Sequence, residues 1–296
     1  MVDGGGRRAQ WGRYGFIAPA LVLLIAVNIF PLIYSIVLSF SNADLVGSEY
    51  QWVGVLNYKM VFKFAKYAQA LRTTALFVFL AVAIELLLGF ALAYALRDRF
   101  RLKPLVLTVL LIPMMLPQAV MGLFWKLVLN GNYGVLNQLL AALGLGQPQW
   151  ITDPDLKFFS VLMVDVWMWT PFMMLISLAA LQSIPSYTYE AAAIDRASPW
   201  RTFRRITLPM SAPLLGLAVL LRATDALKQF DLVMAITGPN DRVTQTLSAL
   251  LYQVVFRDGK VGLGTAYSYV ILVLVIALAS VFLRYMGRLQ GGEKTS

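Results

Sequence analysis

The chain has 296 residues, 59% of them hydrophobic and 14% charged, with a mean hydropathy of +0.70. Soluble domains carry about 25% charged residues, and a water-soluble fold of this length has no place for so much apolar surface, whereas a bilayer does. The net charge is +10 with neither Cys nor His, which excludes disulfides, thiolate chemistry and the commonest metal ligand and reads as basic loops facing cytoplasm and anionic lipid, not nucleic acid.

In chain order, a basic tail over 1–13 is expected on the cytoplasmic side. Thirty residues without a charge then lie between Arg13 and Asp44. A helix rising about 1.5 Å per residue needs roughly 20 residues to cross the hydrocarbon, so Phe16–Phe40 is predicted as the first span, kinked at Pro31. Residues 41–70 read as an external, partly helical segment. Thr73–Leu96 is the second span, with Glu85 inside. A basic turn over 97–103 leads to Pro104–Leu127, the third span, which Pro113 and Pro117 should bend or unwind. Residues 130–156 are external, with a short helix over Val135–Leu143 ended by Gly144. Phe158–Leu181 is the fourth span. The fifth is predicted from Ala212 to about Thr237, and Gly264–Met286 is the sixth, before a basic cytoplasmic tail at 287–296.

The fold class is thus all-α: a six-span membrane domain over 14–286, with a polar loop at 182–211. With both termini inside, fourteen Lys/Arg fall in inside segments and nine outside, the inside ones in shorter stretches, as the positive-inside rule requires. No phosphate loop, HExxH or GxSxG is present. The nearest match, Gly259-Lys260, lacks the upstream Gly and the following Ser/Thr. The chain is expected to be no enzyme.

The loop at 182–211 carries the strongest pattern. Ser186 is expected to cap a helix through Glu190 and three alanines, and Ser198-Pro199 to start a second. In that second helix Trp200, Phe203 and Ile206 recur every third residue, Arg201, Arg204 and Arg205 fall elsewhere, and Pro209 is expected to end it. An amphipathic hairpin of this kind can anchor in lipid headgroups or seat in a protein groove.

Glu190-Ala191-Ala192 followed by Ile206-x-Leu208-Pro209 resembles the EAA loop of ABC-transporter permeases. Asp165-Val-Trp-Met-Trp-Thr-Pro171, Ala180-Leu-Gln-Ser-Ile-Pro185, Phe230-Asp231 with Thr237-Gly238-Pro239, and Asn132-Tyr-Gly-Val-Leu-Asn137 resemble segments of sugar permeases of the maltose and glycerol-3-phosphate uptake type. The family's Gly between the two short helices is Arg196 here. The resemblance implies one permease half of a binding-protein-dependent importer for a carbohydrate, polyol or glycerol-phosphate, in a bacterial or archaeal cytoplasmic membrane. It implies a second homologous permease subunit, two ATP-binding cassette subunits that hold ATP and Mg, and an extracytoplasmic solute-binding protein. Glu190, Ala191, Ala192, Asp195, Arg196, Leu208 and Pro209 would then couple to the ATPase.

Inside the membrane, Arg222, Asp225, Lys228 and Asp231 alternate in sign every three residues. They can pair along one helix or line a polar path, since a charge at the midplane must face protein or water. Trp125, Asp165 and Trp169 join Asp225, Lys228 and Asp231 as candidates for that path. A rival use of Glu85 and Asp165 is a proton- or sodium-driven secondary transporter; an Asp pair in an intramembrane enzyme is another.

Overall fold

A computed structural model describes residues 17–47, 50–98 and 100–291. The expected tail at 1–13, Phe16, Arg99 and residues 292–296 of the closing tail lie outside the described residues. In chain order the helices are α1 Ile17–Ser39, α2 Leu56–Lys63, α3 Ala65–Ala95, α4 Lys103–Met115, α5 Gln118–Val128, α6 Val135–Ala142, α7 Lys157–Gln182, α8 Ser186–Ile194, α9 Pro199–Ala226, α10 Asp231–Ile236, α11 Leu247–Tyr252 and α12 Val261–Gly291. Among the described residues the sole strand-like feature is an antiparallel bridge between Ser41 and Trp52. Five helices are long and apolar enough to cross a membrane, and α4 with α5, bent by 96°, makes a sixth when counted as one span.

The chain forms two compact units. In the first, the described residues 17–47 and 50–64 join Val254–Val270. Asn57 donates to the carbonyls of Ser39 (2.9 Å) and Ser41 (2.7 Å), and Tyr269 donates to the Leu32 carbonyl at 2.5 Å. The second unit holds Ala65–Gln253 and Ile271 onward. Its core runs along α3 and α7, where Phe77, Ala81, Val161, Val164 and Met168 pack with Leu232 and Ile236 of α10. Gly89 lets α3 touch α7: a Cβ there would sit 2.6 Å from the Met173 Cβ and 2.7 Å from the Met174 nitrogen.

Several expectations are corrected. The second span begins at Ala65, eight residues before Thr73, whereas the fourth, α7 at Lys157–Gln182, agrees with the expected Phe158–Leu181 to one residue at each end. Pro31 is preceded by a π turn over Ile25–Ile29, and Pro209 by another over Phe203–Thr207. A proline has no N–H and crowds the carbonyl four residues back; the wider turn accommodates that within the helix, so Pro209 does not end α9. Ser186 is the first residue of α8, with Pro185 at the cap position and no side-chain cap bond. The bend expected at Pro113 and Pro117 is present, between α4 and α5. The fifth span stops at Ala226 and does not reach Thr237. At the break, the Gln229 side chain accepts from the Phe230 N–H (2.9 Å) and the Gln229 carbonyl accepts from the Thr246 hydroxyl (2.7 Å). Irregular backbone inside a membrane protein survives where such partners satisfy it.

Candidate functional site

The hairpin of α8 and the start of α9 is built as its residues demand. Ser198 accepts from the Arg201 N–H at 3.3 Å, with Pro199 opening the helix. Between the helices Arg196 adopts φ +52°, the only non-glycine with positive φ among the described residues. The Ala197 N–H reaches the Ala192 carbonyl (2.9 Å) and the Arg196 N–H the Ala193 carbonyl (3.0 Å), the paired bonds of a Schellman stop. Arg196 therefore takes up the left-handed conformation that a Gly would hold.

The apolar stripe of the second helix is covered in part: Phe203 and Ile206 are half-buried, whereas Trp200 is 69% exposed. Phe203 meets Phe90 and Tyr94 of α3 edge-on at 6.0 and 5.9 Å, Trp200 stacks on Phe203 at 5.7 Å, and the Arg97 guanidinium lies 4.2 Å over Tyr94. The hairpin presents Trp200 and Tyr187 outward together with Glu190, Ala191, Asp195 and Arg196, and Ile194 is 82% exposed. Ala192 is buried and lines a cleft that it shares with Arg201, Thr202 and Ile206 of the second helix. Leu208 and Pro209 are exposed on α9. A polar cleft of about 550 Å³ lies in the hairpin between Asp195, Arg201 and Arg205. Ile194 is the residue that sequence reading missed; an isoleucine breaking the Ala-rich run next to Asp195 is the signal that was available.

The second group lies along the spans. Arg222 of α9 is 1% exposed, and its main partners are on other helices. Its Nε and Nη2 donate to the two Glu85 oxygens of α3 at 2.8 and 3.0 Å, and Nη2 also donates to Asp165 Oδ2 of α7. Glu85 and Asp165 are fully buried. Gln229 donates to Asp165 Oδ1 at 2.7 Å, and the Trp169 ring lies 4.9 Å from the guanidinium. Pairing along one helix is thus the minor part: Asp225 sits 3.4 Å from Arg222 at the cluster's partly exposed rim, and Lys228 is 4.0 Å from Asp225. A three-residue period reveals neighbours on one helix; it carries no information about Glu85, 137 positions away. Gln229, uncharged, left no signal in the charge pattern.

The polar ties continue. Thr246 caps α11 through the Ala249 N–H (3.3 Å), and the Leu247 N–H donates to Thr74 of α3 at 2.9 Å. The other candidates scatter. Trp125 of α5 packs 5.3 Å from Trp167, and its indole nitrogen is buried with no hydrogen-bond partner, as is that of Trp169. Lys228 and Asp231 are exposed. No group of three or more acidic side chains suited to a metal occurs among the described residues.

Residues 85–290 match the family described as binding-protein-dependent transport system inner membrane component. The chain is 34% identical to the trehalose/maltose transport system permease protein MalF of Thermococcus litoralis over 278 residues, 94% of each chain. It is 33% identical to the trehalose transport system permease protein SugA of Mycobacterium tuberculosis over 281 residues, 95% of this chain and 90% of that one. The sulfoquinovosyl glycerol transport system permease protein SmoG of Agrobacterium fabrum is 31% identical over 270 residues, 90% of this chain and 88% of that protein. In fold, the chain resembles one in the crystal structure of a bacterial ABC transporter that imports the acidic polysaccharide alginate, with TM-score 0.84 and 20% identity over 95% of this chain and 96% of that one. With the family match covering most of its length and relatives above 30% identity along nearly all of it, the chain belongs to the binding-protein-dependent transport system inner membrane component family, the membrane permeases of ABC importers.

Proposed function

We propose that the chain forms half of the translocation path of a carbohydrate importer and couples it to ATP through the α8–α9 hairpin. The hairpin lies on the cytoplasmic side, ATP and Mg are held by a separate pair of ATPase subunits, and a second permease and an extracytoplasmic binding protein complete the assembly. The substrate class rests on the trehalose and maltose named for relatives matched along nearly the whole chain.

The observation that carries the coupling role is the division of labour within the hairpin. A headgroup anchor would turn its whole apolar stripe to lipid; here Phe203 at the middle of the stripe leans on Phe90 and Tyr94, and Trp200 stacks on Phe203. The surface left free combines an acid, small side chains, the aliphatic Ile194 and the aromatics Tyr187 and Trp200, a composition that seats in a protein groove. A gradient-driven transporter would need Glu85 or Asp165 open to its ion, and both are sealed against Arg222.

Reconstitution with the ATPase, the second permease and the binding protein tests the reading. ATP hydrolysis should rise when the binding protein is loaded with trehalose or maltose, and labelled sugar should accumulate only with ATP. Uptake that follows an ion gradient without ATP would overturn it.

A further inference from the structure

We propose that the buried cluster of Glu85, Arg222, Asp165 and Gln229 is the fulcrum about which the fifth span turns, with Gln229 as the positioning residue that holds its far end. The inference rests on the coupling role proposed for the hairpin.

The α9 helix is continuous for 28 residues, from Pro199 in the hairpin to Ala226, about 42 Å. Displacement of the hairpin is therefore carried along one element. Its two ends are held differently. The hairpin end rests on α3 through aromatic ring contacts, while the 3.2 Å contact between the Tyr189 and Thr207 hydroxyls ties α8 to α9 within the hairpin itself. Ring edges are held mainly by dispersion and burial, which tolerate sliding. The far end is held by a guanidinium fork whose planar geometry permits few orientations, clamped between two helices at once.

Just beyond, the backbone breaks, so rotation of α9 need not be passed rigidly into α10. Gln229 sits in that break and bonds the same Asp165 carboxylate that holds Arg222. Its carbonyl takes the Thr246 hydroxyl, and the segment capped by Thr246 bonds Thr74 on α3. The ties return to the helix that carries Glu85, 11 positions along from Thr74. A rod gripped by directional bonds at one end and by sliding contacts at the other turns about the gripped end.

The test is a pair of spin-label distances in the assembled complex with cysteine-free partners, since this chain has no Cys of its own. Ala95→Cys with Arg205→Cys reports the hairpin end, and Ala75→Cys with Lys228→Cys reports the far end; all four positions are exposed, and both references lie on α3. On ATP binding with hydrolysis blocked, the first distance should change at least threefold more than the second. Gln229→Leu should broaden the second distance and lower sugar carried per ATP hydrolysed about tenfold, with trehalose or maltose as probe and assembly unchanged. Asp165→Asn combined with Gln229→Glu reverses donor and acceptor across the same contact and keeps the total charge, so it should narrow the distance again. A far end that moves as much as the hairpin end overturns the fulcrum. So does a Gln229→Leu complex that transports normally or loses transport only in proportion to lost assembly. If neither pair responds to ATP, the coupling reading itself fails.

Discussion

Arg196 shows how a backbone requirement outlives the residue best suited to it. The Schellman stop needs a left-handed residue between α8 and α9, and Arg196 supplies it at φ +52°. A non-glycine there costs about 1–2 kcal/mol, partly offset because Gly loses more entropy on folding. Arg196→Gly should therefore raise stability by up to about 1 kcal/mol, and Arg196→Val should lower it by about 1–2 kcal/mol, as read by thermal melting in detergent. Gly89 is constrained by space instead of φ. With the Met173 and Met174 atoms 2.6 and 2.7 Å from a Cβ, Gly89→Ala should cost about 1–3 kcal/mol through separation of α3 and α7. Arg222 is the third such position. Arg222→Leu leaves two carboxyl groups buried with no cation and should cost about 3–5 kcal/mol, while the triple change of Glu85, Asp165 and Arg222 to leucine should recover much of it. A triple variant no more stable than the single one would show that the cluster contributes net attraction.

At the scale of the element, the hairpin is where sequence reading and structure meet most closely. Periodicity located both short helices, the Ser198 cap and the stripe of Trp200, Phe203 and Ile206. It could not say what the stripe packs against, because spacing defines a face and not its neighbour. Phe203 leans on Phe90 and Tyr94, Trp200 stacks on Phe203 and stays exposed, and Ala192 is buried. That changes which substitution probes the partner. Ala192→Leu overpacks the hairpin itself, whereas Glu190→Lys and Ile194→Asp alter exposed groups and leave the fold intact. Both should leave the chain inserted and reduce co-purification of the ATPase at least tenfold. Retention equal to wild type in both would return the hairpin to the role of a lipid anchor. The broken spans teach the same lesson. Pro113 and Pro117 announced the first break through their missing N–H groups, but the break after Ala226 depends on Gln229 and Thr246 meeting in space; no local breaker marks it.

Within the second unit, the orientation inferred from loop charge acquires a sharper form. Lys157 is paired with Asp241 at 2.5 Å, and Gln69 donates to the Arg242 carbonyl at 3.0 Å. The starts of α3 and α7 and the segment after α10 therefore meet at one end. Phe203, Tyr94 and Arg97 meet at the other. Along α3 the two groups are joined from Gln69 to Tyr94, a separation of about 38 Å, more than the hydrocarbon thickness. Loop charge counts Lys157 and Arg242 among the nine outside cations and Arg201 among the fourteen inside, independently of any contact. The prediction is correspondingly strict. Single cysteines at 157 and 242 should react with an impermeant reagent added outside sealed cells, and a cysteine at 201 should react only after permeabilisation. Labelling of all three from outside would refute the span assignment. Labelling of 201 alone would keep the spans but invert them. The fourteen inside cations would then face the wrong surface, and the hairpin would lie out of reach of any ATPase, which removes the coupling role together with the fulcrum that depends on it.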